Sequence, residues 1–294
     1  MKLLKTLFLA ATLIAGTVSA AWPEKDITII VPYPPGGAND RIARQLSVSM
    51  EAILKKPVVV VYYPGAGNAI AISEMERMDP DYTFMLPNAE IVTGPASQGK
   101  DSYKNFHPVM IIGTAPQMLY ANPKVAKDDF VTRQKAGEQI QVAVPDLANP
   151  ATIWINGIAN VQNIPYKGGA QTVFAVTAKQ VDYGVGTIAN GWGALQGKQI
   201  VPVMLGDTKR SPLLPNVPTY QELGFKGRPN VLWFGLIASN RITPEVEKRV
   251  YRVAEFATET PEMKQLTTSG VAIQVRTQKE SQDIYNTEIK NVKK

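Results

Sequence analysis

The run Ile27-Thr28-Ile29-Ile30-Val31-Pro32-Tyr33-Pro34-Pro35-Gly36-Gly37-Ala38-Asn39-Asp40 decides how the rest of the chain is read. Its β-branched half is a short strand, and the proline and glycine cluster ends it. Ile42, Ala43, Leu46, Met50 and Ile53 then recur at helical spacing, which predicts a helix from about Asn39 to Leu54. The same order repeats at once. Pro57 to Tyr63 is a strand apolar enough to be buried on both faces, Pro64-Gly65-Ala66-Gly67-Asn68 is a second glycine turn, and a helix runs from Ala69 to about Met78. Tyr82 to Leu86 is a third strand. Strand, glycine turn and helix in repetition imply an α/β fold with parallel strands and right-handed crossovers; a β-meander would need hairpin turns that this segment lacks.

Further along, strands are expected at Val109–Ile112, Met118–Ala121, Gln139–Val144, Val181–Val185, Ile200–Leu205 and Val231–Ala238. Weak helical patterns occupy 151–160 and 170–179. Two helices close the chain, Pro244 to Glu259 with Thr243 as N-cap, and about Lys279 to Val292. No repeat and no low-complexity linker interrupts this order.

Composition removes many functions. The 294 residues include no Cys and one His, His107. Disulfides, thiolate nucleophiles and Cys-based metal sites are therefore excluded, as is a site of several histidines. His107 has no Ser or Asp spacing that marks a triad and reads as a surface or turn residue, and no Gly-x-Ser-x-Gly elbow is present. Asp79, Asp81, Asp128 and Asp129 read as turn and surface carboxylates, and Trp154, Tyr166, Trp192 and Trp233 as core or cleft wall. No cofactor is implied. Met1 to Ala20 has the form of a secretory signal, with Lys2 and Lys5 before an apolar run and Val18-Ser19-Ala20 at its end. Export to the periplasm with cleavage near Ala20 is expected, without a lipid anchor because no cysteine is available. The net charge of +6 falls to +4 once the two leader lysines are removed. This mild, scattered excess suits small anions and shows no nucleic-acid stripe.

The two glycine turns carry the functional reading. Both lie where a parallel strand leads into a helix, the place where ligands collect in α/β sheets. Glycine permits close approach, and the free N–H groups of a first helical turn favour an anion. From the residues alone, a plain turn and a ligand cradle remain equally open. Gly65 to Ile70 lacks the third glycine of a dinucleotide fingerprint, and no Gly-Lys-Ser/Thr follows either turn. Asp40 suits helix capping as well as ligand contact.

Several segments together resemble the periplasmic solute-binding proteins of tripartite tricarboxylate transporters, the Bug or TctC-like family. They are Trp22 to Ile27, Val31 to Asp40 (with Asn39 where the family usually has Thr or Ser), Pro64 to Asn68, Pro165-Tyr166-Lys167-Gly168-Gly169-Ala170, Gln180-Val181-Asp182, Lys209 to Thr219, Trp233-Phe234-Gly235-Leu236 and Thr243-Pro244. The resemblance spans essentially the whole chain after the leader. It implies the two-lobed type II periplasmic binding-protein fold, with central mostly parallel sheets and flanking helices. One lobe would comprise residues 21–120 with 228–294, and the other 121–227. It further implies a non-enzymatic monomer that closes on a small di- or tricarboxylate or aromatic acid and delivers it to membrane permease subunits. The carboxylate would meet Gly36, Gly37, Ala38, Asn39, Asp40, Gly67 and Asn68.

Departures from the family pattern fall at Pro87 to Glu90, Val144 to Thr152 and Val185 to Thr187. They add Asn88, Asn149, Thr152 and Thr187 as candidate contacts, and the matching segment Pro165–Ala170 adds Tyr166. The last stretch lacks the Asp that can meet a ligand amine, so a ligand without an ammonium group is expected. Glu90 and Asp146 read as rim residues, because a bare carboxylate facing an anion weakens binding. A secreted α/β hydrolase or lyase, and a receptor serving a sensor kinase, are the competing readings.

Overall fold

The computed structural model describes residues 22–125 and 129–292; the expected leader lies outside them. The first unit is as the sequence predicts. Strand β1 (Ile27–Val31) pairs in parallel with β2 (Val58–Tyr62) on one side and β3 (Thr83–Met85) on the other. Ile27, Ile29, Ile30 and Val31 are fully buried, which is why the strand reads as a continuous apolar run rather than an alternation. Helix α1 (Ala38–Leu54) crosses between β1 and β2, and α2 (Ala69–Arg77) between β2 and β3. A helix absent from the sequence reading, α3 (Glu90–Ser97), follows β3 directly. Its Pro95 and Gly94 weaken any helical signal.

The largest difference from expectation is β4 (Phe106–Ala121). The two strands foreseen at 109–112 and 118–121 are one continuous strand, because Gly113-Thr114-Ala115-Pro116-Gln117 stays extended instead of turning. Phe106 to Pro116 pairs antiparallel with β9 (Val231–Ser239), which also meets β3 through Met85 and Ile237. From Gln117 the strand changes partners. Gln117 to Ala121 lies between β7 (Tyr183–Thr187) and β8 (Val201–Leu205), both antiparallel to it. Pro116 brings no N–H to the ladder and sits at the change of partners.

Beyond β4 the chain builds a second sheet. After α4 (Asp129–Lys135), β5 (Ile140–Val144) pairs in parallel with β6 (Val161–Pro165) and with β7. Helices α5 (Pro150–Ile158), α6 (Gly169–Thr177) and α7 (Ile188–Gln196) follow β5, β6 and β7 in turn. Strand β7 starts two residues later than expected, because the turn that ends α6 continues through Lys179 in left-handed conformation (φ 60°). It runs straight into α7, a helix the sequence reading missed. The chain ends with α8 (Pro244–Thr258), the short α9 (Pro261–Gln265), β10 (Ala272–Ile273), which adds to β4, and α10 (Gln278–Val292). Thr243 occupies the N-cap position of α8 but makes no side-chain cap bond.

The sheets are therefore mixed. Their outer members β2-β1-β3 and β6-β5-β7 are parallel; β9 runs against the first set, and β4, antiparallel to β9, runs against the second. One apolar core gathers β1, β3, β9 and the first part of β4 under α1 and α8, and separate cores lie on the two faces of the second sheet. Among the described residues no helix is long and apolar enough to cross a membrane.

Candidate ligand-binding cleft

Four helices, α1, α5, α6 and α7, begin at one small cavity between the two sheets. Two of them satisfy their own first turns. Asn149 Oδ1 accepts from the Ala151 N–H at 3.0 Å, and Thr187 Oγ1 accepts from the Asn190 N–H at 3.1 Å. The other two are capped by glycine, Gly37 for α1 and Gly168 for α6, and have no side-chain cap. Gly37 to Asp40 and Gly168 to Gln171 all line the cavity. The two glycine caps come from opposite halves yet are close, since a Cβ on Gly168 would lie 3.5 Å from Pro34 Cδ. N–H groups of a first helical turn have no acceptor within their helix and carry the positive end of its dipole. Two such turns at one cavity place two positive dipole ends where negative charge is favoured.

Hydrogen bonds across the cleft hold the halves together. The Ala38 N–H donates to Asn190 Oδ1 (3.0 Å), Arg41 Nη2 to the Ala189 carbonyl, and Thr93 Oγ1 to the Ala148 carbonyl (2.8 Å). Asn149 Nδ2 donates to Glu90 Oε2 at 2.6 Å. The cavity left inside measures about 30 Å³, room for one or two waters. This is a closed arrangement, and a molecule larger than that does not fit the cavity as it stands.

Asp40 is bound to the loop rather than offered to a ligand. Its Oδ2 accepts from the Gly36 N–H (2.8 Å), and its Oδ1 accepts from Arg44 Nε (2.7 Å) and Tyr62 Oη (2.6 Å). Burial opposes its charge, but these three donors outweigh burial and its pKa lies below the ordinary value. Burial and the bond to Asp40 push the Tyr62 hydroxyl up to about 12. Glu90, expected at the rim, is instead only 4% exposed. Burial, and after it the charge of Asp146, raises its pKa to about 8, against the opposing amides of Asn149 and Asn68. Asp146 accepts from the Ala148 N–H.

The closed cleft also contains buried polar atoms that make no hydrogen bond of ordinary geometry: Tyr33 Oη, both amide atoms of Asn68 and of Gln117, and Gln171 Oε1. Such a group costs about 1–3 kcal/mol when left unpaired. Tyr33, Gln117 and Gln171 line the cavity, so a ligand that pairs with them recovers that cost. Among the described residues no cluster of His, Asp and Glu has the makings of a metal site.

The candidates from the sequence distribute as follows. Gly37, Ala38, Asn39, Asp40, Asn88, Asn149 and Thr187 lie in the cavity wall. Gly36 stands just outside it, with its N–H held by Asp40. Gly67 packs on α3, where a Cβ on Gly94 would lie 2.0 Å from the Gly67 carbonyl oxygen, and Asn68 is buried beside Tyr33 and Glu90. Thr152 is fully buried and donates to the Asp146 carbonyl, and Tyr166 Oη reaches Gln180 (3.4 Å); neither lines the cavity. His107 binds Asn240 Oδ1 (2.9 Å) and Glu247 Oε1 (3.1 Å) away from the wall.

Sequence reasoning missed Tyr33, Gln117, Gln171 and Asn190. Gly168-Gly169 opens a helix after a strand, the same signature as the first loop, and could have led to Gln171. Gln117 and Asn190 carry no such signal.

A family model described as the tripartite tricarboxylate transporter family receptor matches residues 42–294. Protein BugT of Bordetella pertussis is 28% identical over 256 residues, covering 82% of this chain and 78% of the relative. Among solved structures, MatC from Rhodopseudomonas palustris with bound malate superposes with a TM-score of 0.83 at 22% identity, over 92% of this chain and 98% of that one. A protein of R. palustris with adipate gives 0.84 at 21% identity, over 92% and 96%. At these identities the structures establish a common fold.

Proposed function

The chain belongs to the tripartite tricarboxylate transporter family receptors, and from that premise we propose that it captures one small organic carboxylate in the periplasm and presents it to membrane permease subunits. Membership makes it a substrate-binding receptor rather than an enzyme. The observation that carries the ligand class is the meeting of the uncapped starts of α1 and α6, one from each half, at a single cavity. They supply a carboxylate with oriented N–H donors without a paired base.

The moving units would be the expected lobes, residues 21–120 with 228–294 and residues 121–227, acting as a monomer. The change of pairing within β4 at Gln117 and the return of the chain at β9 support that division. No carboxylate in the wall is free to meet an ammonium group, since both oxygens of Asp40 are engaged. Amino acids would therefore be disfavoured, and dicarboxylates such as the malate and adipate of the neighbours are the first ligands to try.

A thermal-shift screen of the leaderless protein against mono-, di- and tricarboxylates, aromatic acids, amino acids and sugars tests the proposal. A ligand that binds only the folded state raises the melting temperature, by an amount that grows with concentration. The expected result is a rise with at least one carboxylate and none with sugars. A sugar or amino acid as the sole stabiliser defeats the proposal, as does a carboxylate that stabilises the protein while bound elsewhere than between α1 and α6.

A further inference from the structure

The cavity wall contains no Lys, Arg or His. Arg41 is half-buried nearby, but its guanidinium is committed to the Ala189 carbonyl. An anion enclosed here has only dipoles to balance its charge. One acid stands directly behind the wall. Glu90 opens α3, is 4% exposed, and accepts from Asn149 Nδ2 at 2.6 Å. Both Asn149 and Asp146, the groups with most effect on it after burial, belong to the opposite half. From its own half it faces the Asn68 amide and the Tyr33 hydroxyl. Helix α10 packs against α3, but its Glu288 is turned to the Trp233 indole. No basic group acts on Glu90 from any of these elements.

We infer that Glu90 takes up a proton when the two halves close, so that capture of an anion is balanced by a proton from solvent rather than by a basic side chain. The inference rests on the carboxylate reading above and adds the charge the closed receptor tolerates. When the halves part, Asn149 and Asp146 withdraw and water reaches Glu90, which then ionises as an ordinary glutamate, near pH 4.3. On closing, burial and the charge of Asp146 make the neutral acid the stable form at neutral pH. One proton leaves solvent, one O–H bond forms on the carboxylate, and both are reversed on opening. Glu90 is thus a positioning residue that acts through Asn149 on the wall. By linkage, affinity for an anion falls about tenfold per pH unit between roughly pH 5 and 8 and levels off above. A second negative charge on the ligand adds to the same burden.

Two measurements on the leaderless protein and its Glu90→Gln variant test this; the variant retains the shape and a hydrogen-bonding partner for Asn149. Small-angle scattering without ligand at pH 6 and pH 9 is expected to show the parent expanding at the higher pH and the variant keeping its dimensions. A parent of unchanged size, or equal expansion of both proteins, overturns the inference. Calorimetric titration with malate at pH 7 in buffers of differing ionisation heat is expected to show net proton uptake, of up to about one proton, by the parent and none by the variant. Heats independent of buffer also overturn it while leaving the carboxylate reading intact. Absence of binding to malate and to every other carboxylate screened counts against that reading instead, and scattering then decides on Glu90.

Discussion

Asn190 fills the space that a side chain on Gly169 would need: a Cβ there would lie 1.8 Å from Asn190 Nδ2. The same amide accepts the Ala38 N–H from the other half at 3.0 Å, so a glycine at the start of α6 makes room for a bond that closes the cleft onto α1.

Gly169→Ala should therefore impair closure more than folding. Displacing Asn190 costs about 1–3 kcal/mol through overpacking, and ligand affinity should fall at least tenfold with far-ultraviolet circular dichroism unchanged. Gly193→Ala in α7, where a Cβ would meet nothing within 4 Å, is the control. It should bind as the parent does and melt no lower. Equal affinity for parent and Gly169→Ala in calorimetric titration would dismiss this role for Asn190.

Gln117 is fully buried with neither end of its amide paired. Gln117→Met, which keeps the length and removes the unpaired polar atoms, should raise or preserve the melting temperature of the free protein. The same change should weaken ligand binding about tenfold, as one hydrogen bond to a buried group is lost. Opposite signs in the two assays identify a group kept for binding at the expense of stability. A variant that both melts lower and binds normally would show a structural amide instead.

Asp40 should make stability sensitive to acid. Its folded-state pKa is depressed below the unfolded value, so its contribution is complete above the unfolded pKa, near 3.8, and is lost as pH falls through the folded one. Asp40→Asn should melt about 2–4 °C lower at pH 7. The gap to the parent should narrow as pH drops below 4, because the parent then loses the same charge. Denaturation curves from pH 2 to 7 provide the comparison, and a constant gap would refute the assignment.

Binding should depend only modestly on salt. The proposed donors are helix-end N–H groups in an enclosed cavity, where screening is weaker than at the surface. Calorimetry with the tightest carboxylate from the screen at low and high sodium chloride should show less than about a threefold change in affinity. A change of tenfold or more would point to exposed basic side chains as the anion's partners.

The strand–glycine–helix order at Ile27 to Leu54 was legible because burial on both faces leaves a continuous β-branched run, and the helix after it keeps its apolar stripe. Strand β4 was misread because Gly113 and Pro116 resemble turn residues, and only tertiary pairing with β9 and then β7 keeps them extended. Helices α3 and α7 were missed for a related reason. Glu90-Ile91-Val92-Thr93-Gly94-Pro95 and Ile188 to Gln196 contain glycines, a proline and small residues that lower helical propensity, and their packing against neighbouring elements compensates. At the site, the first loop was readable from its glycines. The helix after Gly168 was legible near 170, but the half-exposed strand β6 before it gives no clear strand signal to mark a second loop of the same kind, and the burial of Glu90 depends on residues far apart in sequence.

Because the backbone of β4 runs unbroken through both sheets, the halves share a single ladder and cannot slide past one another without tearing it. The movement left to the proposed lobes is torsion about that ribbon near Gln117, whose N–H and carbonyl are held by Asn230 and Gly206. A swivel of this kind has one stiff track. If the proposed lobes close along it, cargoes of different shape would bring the molecule to rest at nearly the same angle, and a receiving permease would meet a uniform silhouette.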